Sequence, residues 1–150
     1  MLIPFRMKET ITKILPLILF FLIGINSSNL IGQISEEEKI QTIFTHFEIG
    51  IKTGAVKEFS DFLFSETYIS LETGVASYFS SNQSFYILKD YLRNYKPINF
   101  RIIKVSSSNE KHFAIGKLVY NKSGVKGESQ VFVSLKLENE EWKIYQITIN

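Results

Sequence analysis

Side chains that could perform acid–base or metal chemistry are few in this chain, and they are isolated from one another. The two histidines, His46 and His112, have no carboxylate at ligand spacing, so they predict no metal site. The absence of cysteine excludes a thiolate nucleophile, a thiolate metal site and a disulfide framework. The sequence also lacks a Gly-rich phosphate loop, a nucleophile elbow and a paired acid motif. The residue types therefore predict no catalytic residue, no metal site and no cofactor.

The positions of the two histidines favour ordinary roles. His46 lies about 120° around its helix from the apolar stripe centred on Ile40 and Phe47, which predicts a solvated flank position. His112 opens a predicted strand and shares a face with Ala114 and Leu118. A histidine at a strand end is usually solvated or locally hydrogen-bonded. We nevertheless keep His112 as a candidate for lining a ligand pocket.

Two aspartates are candidates for a general base only if they lie on the apolar side of a helix, because a general base must be buried to have a raised pKa. Asp61 falls about 160° from the apolar side of its predicted helix, and Asp90 falls similarly far from the apolar side of the next one. Both side chains are therefore predicted to face solvent. Neither is expected to act as a general base.

The tyrosines of the third predicted helix are the remaining candidates. Tyr91 and Tyr95 lie on its inward side, where their hydroxyl groups could line a pocket. The alternative is core packing with each hydroxyl at the periphery of the core. Together with His112, these two tyrosines are the ligand-pocket candidates that the sequence offers.

The amino-terminal segment has the layout of a secretory signal peptide. Basic residues precede an apolar stretch at residues 14–25, which a small polar run follows. That stretch is about 12 residues long, whereas a membrane span needs about 20. We predict a signal peptide at residues 1–32, with cleavage between about residues 28 and 33. An uncleaved signal anchor is the alternative, because Leu30 and Ile31 could lengthen the apolar span.

Removal of this segment would leave one exported domain at residues 33–150, in the periplasm or outside the cell. The start codon is either Met1 or Met7, since Met7 followed by a lysine is the more typical opening. No stable membrane span is expected after cleavage.

The charge balance argues against a nucleic-acid partner. The chain has 17 basic and 15 acidic residues, and the segment through Gln33 contains three of the basic and one of the acidic residues. The remainder is therefore formally neutral, and the pI of about 8.7 is largely a property of the targeting segment. Neither nucleic acid nor an anionic membrane is indicated as a partner.

Behind the signal, the first half of the domain reads as helices around one strand. Ser35 and Glu38 form a capping box, apolar residues follow at helical spacing, and Gly54 ends this first helix. A shorter second helix carries Val56, Phe59, Phe62 and Leu63 on one side, and residues 67–71 alternate as a strand. A third helix opens at Ser80, caps with Gln83 and stops before Pro97.

The second half reads entirely as strands joined by hairpins, which predicts an antiparallel sheet. The predicted strands are residues 100–106, 112–120, 127–137 and 142–149. Val131, Val133, Leu135 and Leu137 form one apolar face. The other face offers Phe132 and either Trp142 or Tyr145, so it could be covered by a second copy of the chain. Scattered surface aromatics, common on any monomer, are the alternative.

This order of elements resembles the nuclear transport factor 2-like superfamily, an α+β fold in which three helices pack on a curved antiparallel sheet to form a cone. More narrowly, the chain is similar to a family of small exported bacterial proteins of unknown function, domain of unknown function 4783. The matching segments are FSDFL at 59–63, SSNQ at 80–83, ILKDYL at 87–92, FAIGKL at 113–118 and WKIYQI at 142–147. The chain departs from the family's usual sequence pattern at residues 73–79, and its hairpin near residues 121–128 is longer.

The resemblance implies a fold more than an activity, because the matching segments contain residues that pack the core or cap helices and contain no catalytic motif. The superfamily includes enzymes that resemble ketosteroid isomerase and scytalone dehydratase, which use a tyrosine with carboxylates or histidine inside the cone. We expect a non-catalytic exported domain that binds a small apolar ligand or a protein partner, with a homodimer through the sheet face as one form. The alternative is an isomerase or dehydratase-like enzyme of the same superfamily.

Overall fold

The computed structural model describes residues 35–108 and 111–150, so the predicted signal peptide at residues 1–32 lies outside the described residues. The described residues contain two α-helices, two short 3-10 turns and one six-stranded sheet. Neither of these helices is long and apolar enough to cross a membrane.

Helix α1 spans Glu36–Thr53 and begins and ends as the sequence predicts. The Ser35 hydroxyl accepts from the Glu38 N–H at 3.2 Å, and the Ser35 N–H donates to the Glu38 carboxylate at 2.9 Å. Gly54 ends the helix with φ of 73°, a left-handed conformation that favours glycine. The apolar side of α1 is buried, as predicted, through Ile40, Ile43, Phe44, Phe47 and Ile51.

The predicted second helix is wrong, since this segment forms two 3-10 turns at Val56–Glu58 and Ser60–Phe62. Packing against α1 explains the irregular path. The Phe59 ring is fully buried against Gly50, where an added Cβ would lie 2.4 Å from a ring carbon.

Helix α2 spans Ser81–Tyr95 and confirms the predicted third helix. Ser80 and Gln83 form its capping box, and the chain leaves the helix at Lys96, directly before Pro97. Its inward side carries the two candidate tyrosines. Five residues of α2 are buried, namely Ser84, Leu88, Tyr91, Leu92 and Tyr95.

The sheet is mixed, which corrects the expectation of a purely antiparallel one. Its strands are β1 Leu63–Leu71, β2 Ala76–Ser80, β3 Pro97–Ser108, β4 Lys111–Lys122, β5 Val125–Glu138 and β6 Glu141–Ile149, in the order β2-β1-β6-β5-β4-β3. The hairpin pairs from β3 to β6 are antiparallel as predicted, but β1 pairs with β6 in parallel. Strand β2 was not predicted from the sequence, and β1 begins four residues before the predicted strand.

Both helices pack their apolar sides on one face of the sheet, which we call the inner face. Val131, Val133 and Leu135 of β5 are buried there, whereas Leu137, predicted on the same face, is 50% exposed. Ile144, Ile147 and Ile149 of β6 are fully buried in the same core. The result is the α+β fold that the sequence predicts, with two helices in place of three.

Candidate functional site

The two aspartates face solvent, as predicted, although Asp61 lies in a 3-10 turn and not in an α-helix. Asp61 pairs with Lys57 at 3.2 Å and Asp90 pairs with Arg93 at 2.9 Å, and all four side chains are largely exposed. The hydrogen bond from Lys57 and its charge hold the pKa of Asp61 below its usual value. An ionised, exposed carboxylate is unsuited to act as a buried general base.

His46 is partly buried, which corrects the predicted solvated flank position. Its ring lies 5.5 Å from the ring of Phe62, and its Nδ1 is buried without a hydrogen-bond partner among the described residues. The reason is the path of the 3-10 turns, which brings Phe62 over this side of α1. A helical projection could not anticipate this contact because it considers α1 alone.

Tyr91 is buried, and its hydroxyl is engaged within the protein. It donates to the Glu72 carboxylate at 3.1 Å, while the Ser129 hydroxyl donates to the other oxygen of Glu72 at 3.3 Å. Burial raises the pKa of Tyr91 well above its usual value, and the charge of Glu72 and its hydrogen bond to Tyr91 act in the same direction. Tyr91 is therefore a neutral hydrogen-bond donor.

Tyr95 is equally buried and accepts a hydrogen bond. Its ring stacks on Tyr91 with centroids 4.1 Å apart, and the Lys122 ammonium donates to its hydroxyl at 2.7 Å. The same ammonium lies 4.3 Å from the centre of the Tyr95 ring, a cation–π distance. The hydrogen bond to Tyr95 raises the pKa of Lys122 above its usual value.

We call these five residues, Glu72, Tyr91, Tyr95, Lys122 and Ser129, the tyrosine network. It joins α2 to the end of β1 and to the β4–β5 hairpin. The two tyrosines were candidates from the sequence, whereas Glu72 and Lys122 were not predicted. No signal in the sequence marks those two residues, because their partners lie far away along the chain.

His112 is buried, with 5% of its surface exposed, so of the two predicted roles, solvated or locally hydrogen-bonded, the second is confirmed. Its Nδ1 lies 2.7 Å from the Ser107 hydroxyl across the β3–β4 hairpin. The ring also packs perpendicular to Trp142 at a centroid distance of 4.4 Å. Its Nε2 has no hydrogen-bond partner among the described residues.

His112 lines a cleft of about 360 Å³ between the beginning of α1 and the end of the β3–β4 hairpin at which Ser108 pairs with Lys111. The cleft volume falls within the usual range of small-molecule sites. We call it the His112 cleft. It is lined by Glu36, Glu37, Ile40, Ser107, Ser108 and His112. Among the described residues, no group of three histidine, aspartate or glutamate side chains is placed to hold a metal ion.

The outer face of the sheet carries a cluster of partly exposed aromatic side chains. We call it the outer aromatic face, formed by Phe64, Tyr68, Tyr78, Phe113, Phe132 and Tyr145. The hydroxyls of Tyr78 and Tyr145 lie 3.0 Å apart, and this hydrogen bond raises the pKa of Tyr78. Of the two aromatics left open by the sequence, Tyr145 belongs to this face, whereas Trp142 packs against the core.

A lysine is incorporated into this aromatic face. The Lys136 ammonium lies 4.9 Å from the centre of the Tyr145 ring and 5.7 Å from that of Phe64. These distances allow cation–π attraction to both rings. The face is therefore amphipathic, with a cation held among exposed rings.

A family profile described as Domain of unknown function (DUF4783) matches residues 44–150, which is most of the chain. The chain belongs to this family. The segments that carried the resemblance, from FSDFL to WKIYQI, all lie inside the match. No curated protein matches the chain.

Solved structures place this DUF4783 chain among nuclear transport factor 2-like folds. A DUF4783 family protein from Bacteroides ovatus is 19% identical, with a TM-score of 0.61 over 69% of this chain and 90% of that one. An NTF-2 like protein of unknown function from Shewanella oneidensis is 12% identical, with a TM-score of 0.54 over 77% and 98%. A putative isomerase from Bacillus subtilis is 12% identical, with a TM-score of 0.62 over 77% and 87%. At these identities the likeness establishes the fold alone.

Proposed function

We propose that this DUF4783 chain is an exported, non-catalytic binding domain that pairs with a second copy of itself through the outer aromatic face. The supporting observation is the cluster of partly exposed rings on the side of the sheet opposite the helices. Aromatic residues are enriched at protein interfaces, where they bury a large area at a small entropic cost. Export rests on the signal-like pattern at residues 1–32.

The chemistry of this face favours a protein partner over a small apolar ligand. Tyr78 is 54% exposed, and its ring lies within 5.2 Å of Tyr68 and 6.1 Å of Tyr145. Such a row of rings crosses the neighbouring strands β2, β1 and β6, so it is broad and matches another sheet face better than a compact molecule. In a two-fold dimer the same rings would meet their own copies.

Two tyrosines of nearly equal exposure provide a matched test. Tyr78 lies on the outer aromatic face and is 54% exposed, whereas Tyr86 lies on α2 and is 57% exposed. Sedimentation equilibrium of the mature protein should show a dimer whose dissociation constant rises by about tenfold or more in Tyr78→Glu. Tyr86→Glu should dimerise like the wild type. A wild-type monomer at high micromolar concentration, or equal weakening by both variants, would contradict the proposal.

Export is tested separately by the mass of the protein recovered from the exporting host. Cleavage between about residues 28 and 33 predicts a chain that begins between about residues 29 and 33. An intact amino terminus in that protein would instead support the signal anchor.

A second candidate function is an isomerase or dehydratase-type activity. The observation that favours it is the contact between the Glu72 carboxylate and the Tyr91 hydroxyl, since such enzymes pair a base with a phenol donor. Isomerisation of 3-cyclohexenone, followed through the absorbance of the conjugated product, provides a direct assay. A rate above background that Glu72→Gln abolishes would support the enzyme and contradict the non-catalytic proposal.

A further inference from the structure

The His112 cleft shares no residue with the outer aromatic face, and its hydrogen-bonding groups are not used by the proposed dimer. Its polar rim comes from two places, the first turn of α1 and the end of the β3–β4 hairpin. The type of ligand that such a rim selects depends on whether its polar atoms can donate or only accept. The hydrogen bonds that each rim side chain already makes within the protein determine which of its atoms can still donate or accept.

The first group is the pair formed by Ser107 and His112. We infer that the ring proton of His112 lies on Nε2, because this buried nitrogen has no hydrogen-bond partner among the described residues, whereas Nδ1 lies beside a hydroxyl that can donate to it. Nδ1 is then an acceptor, and the Ser107 hydroxyl donates its only proton to Nδ1 at 2.7 Å. The lone pairs of the Ser107 oxygen remain available to a ligand.

The other polar groups on the rim have the same character. The Ser108 hydroxyl donates to the Lys111 carbonyl at 3.4 Å, so its oxygen is also left as an acceptor. Glu36 and Glu37 are exposed and carry no ion pair among the described residues, and ionised carboxylates only accept. The rim therefore offers acceptors and negative charge, with Ile40 as its apolar wall.

We propose that the His112 cleft binds a small organic cation that donates several N–H hydrogen bonds, such as a primary ammonium compound with an apolar body. The carboxylates attract the charge, and the two serine oxygens and the carboxylates accept the N–H groups. Ile40 contacts the apolar body. His112 acts as a positioning residue, because its Nδ1 orients the Ser107 hydroxyl.

The competing explanation is that Glu36 and Glu37 only stabilise the positive end of the α1 dipole and attract any cation weakly. The two explanations differ in the role of the N–H groups. Diffuse attraction depends on charge alone, whereas an acceptor-lined site must discriminate between cations with and without donors.

Three probes of similar shape separate these explanations. Benzylamine supplies charge and N–H donors, benzyltrimethylammonium supplies charge without donors, and benzyl alcohol supplies neither charge nor N–H groups. Binding is followed by amide and His112 ring chemical shifts in the mature protein. Benzylamine should bind saturably and at least about tenfold more tightly than the other two. Equal affinity for both cations, or no saturable binding of benzylamine, would overturn the proposal.

Charge-removing variants locate the binding. Glu36→Gln combined with Glu37→Gln should weaken benzylamine binding by about tenfold or more, while the double variant keeps its circular dichroism spectrum. Glu58→Gln is the matched control, since Glu58 is also exposed and lies outside the cleft. The control should bind like the wild type. Unchanged binding in the double variant would overturn the proposal.

The tautomer of His112 is a further, independent readout. Long-range ¹H–¹⁵N correlation at about pH 8 distinguishes the two ring nitrogens of a neutral imidazole. The proton should be found on Nε2, and Ser107→Ala should weaken benzylamine binding. A proton on Nδ1 would make Ser107 an acceptor for the ring and would overturn the acceptor-only rim.

Discussion

The tyrosine network and the His112 cleft are built from similar side chains, yet they use their hydrogen-bonding capacity differently. In the network, the two tyrosine hydroxyls are satisfied inside the protein, Tyr91 by Glu72 and Tyr95 by Lys122. In the cleft, Ser107 and His112 satisfy each other on one side only, and the carboxylates of α1 point to no ion-pair partner among the described residues.

This difference separates a stabilising arrangement from one suited to binding. A satisfied network has little capacity left for a ligand and holds elements together, here α2 against the ends of β1, β4 and β5. A rim with surplus acceptors lowers its free energy by taking up a donor. Burial of a candidate residue is therefore less informative than the partners of its polar atoms.

The largest expected effect comes from removing a ring of the network. Tyr91→Ala should lower the free energy of unfolding by about 3–5 kcal/mol, because a buried aromatic side chain is lost and a cavity remains. Urea denaturation measures this change. The exposed Tyr86→Ala is the control and should change stability little. Equal losses in both variants would contradict the structural role of the network.

A smaller loss is expected from breaking the pair in the cleft. Ser107→Ala leaves His112 Nδ1 buried without its partner, at a cost of about 1–3 kcal/mol in unfolding free energy. Ser108→Ala removes a neighbouring hydroxyl that bonds only a hairpin carbonyl and should cost less. If the two variants are equally stable, His112 does not depend on Ser107.

Substitution by phenylalanine removes the polar atoms of each region and keeps an aromatic ring. Tyr91→Phe removes the hydroxyl that donates to the Glu72 carboxylate and should lower the free energy of unfolding by about 1 kcal/mol. His112→Phe removes an unpartnered Nε2 together with a paired Nδ1, so its net cost should be smaller. A larger loss for His112→Phe would reverse the comparison.

The smallest effect is on the pH dependence of stability, and it is absent at neutral pH and appears only in alkali. Because the folded pKa of Tyr91 is raised, the folded state retains a proton that the unfolded state loses near its usual pKa of 10. Stability is therefore fully present below that pKa and falls as pH rises above it. Tyr91→Phe should show a weaker fall between about pH 9 and 11 in urea denaturation. Identical slopes would argue against the raised pKa.

The sequence predicted best those features that depend on neighbouring residues. Both capping boxes are confirmed, as are Gly54 at the end of α1 and Pro97 after α2. The four strands of the second half are confirmed within a few residues, since their turns are local signals. The family resemblance is confirmed as well, and it supplied the fold before any geometry was known.

The errors fall where distant packing overrides the local pattern. The second helix became two 3-10 turns because Phe59 is buried over Gly50 of α1. The strand β1 was expected in an antiparallel sheet, but its pairing with β6 spans most of the domain and is parallel. The packing of His112 against Trp142, which lies on another strand, was not predicted.

Most helices and strands of this protein follow from signals along the chain, because caps, turns and periodicity act over three or four residues. The meeting of its polar side chains follows instead from the packing of the fold. Tyr91 reaches Glu72 across 19 residues of sequence, and Ser129 reaches the same carboxylate across 57. Such contacts depend on how the sheet and helices pack, and that packing is a property of the whole core rather than of any local segment.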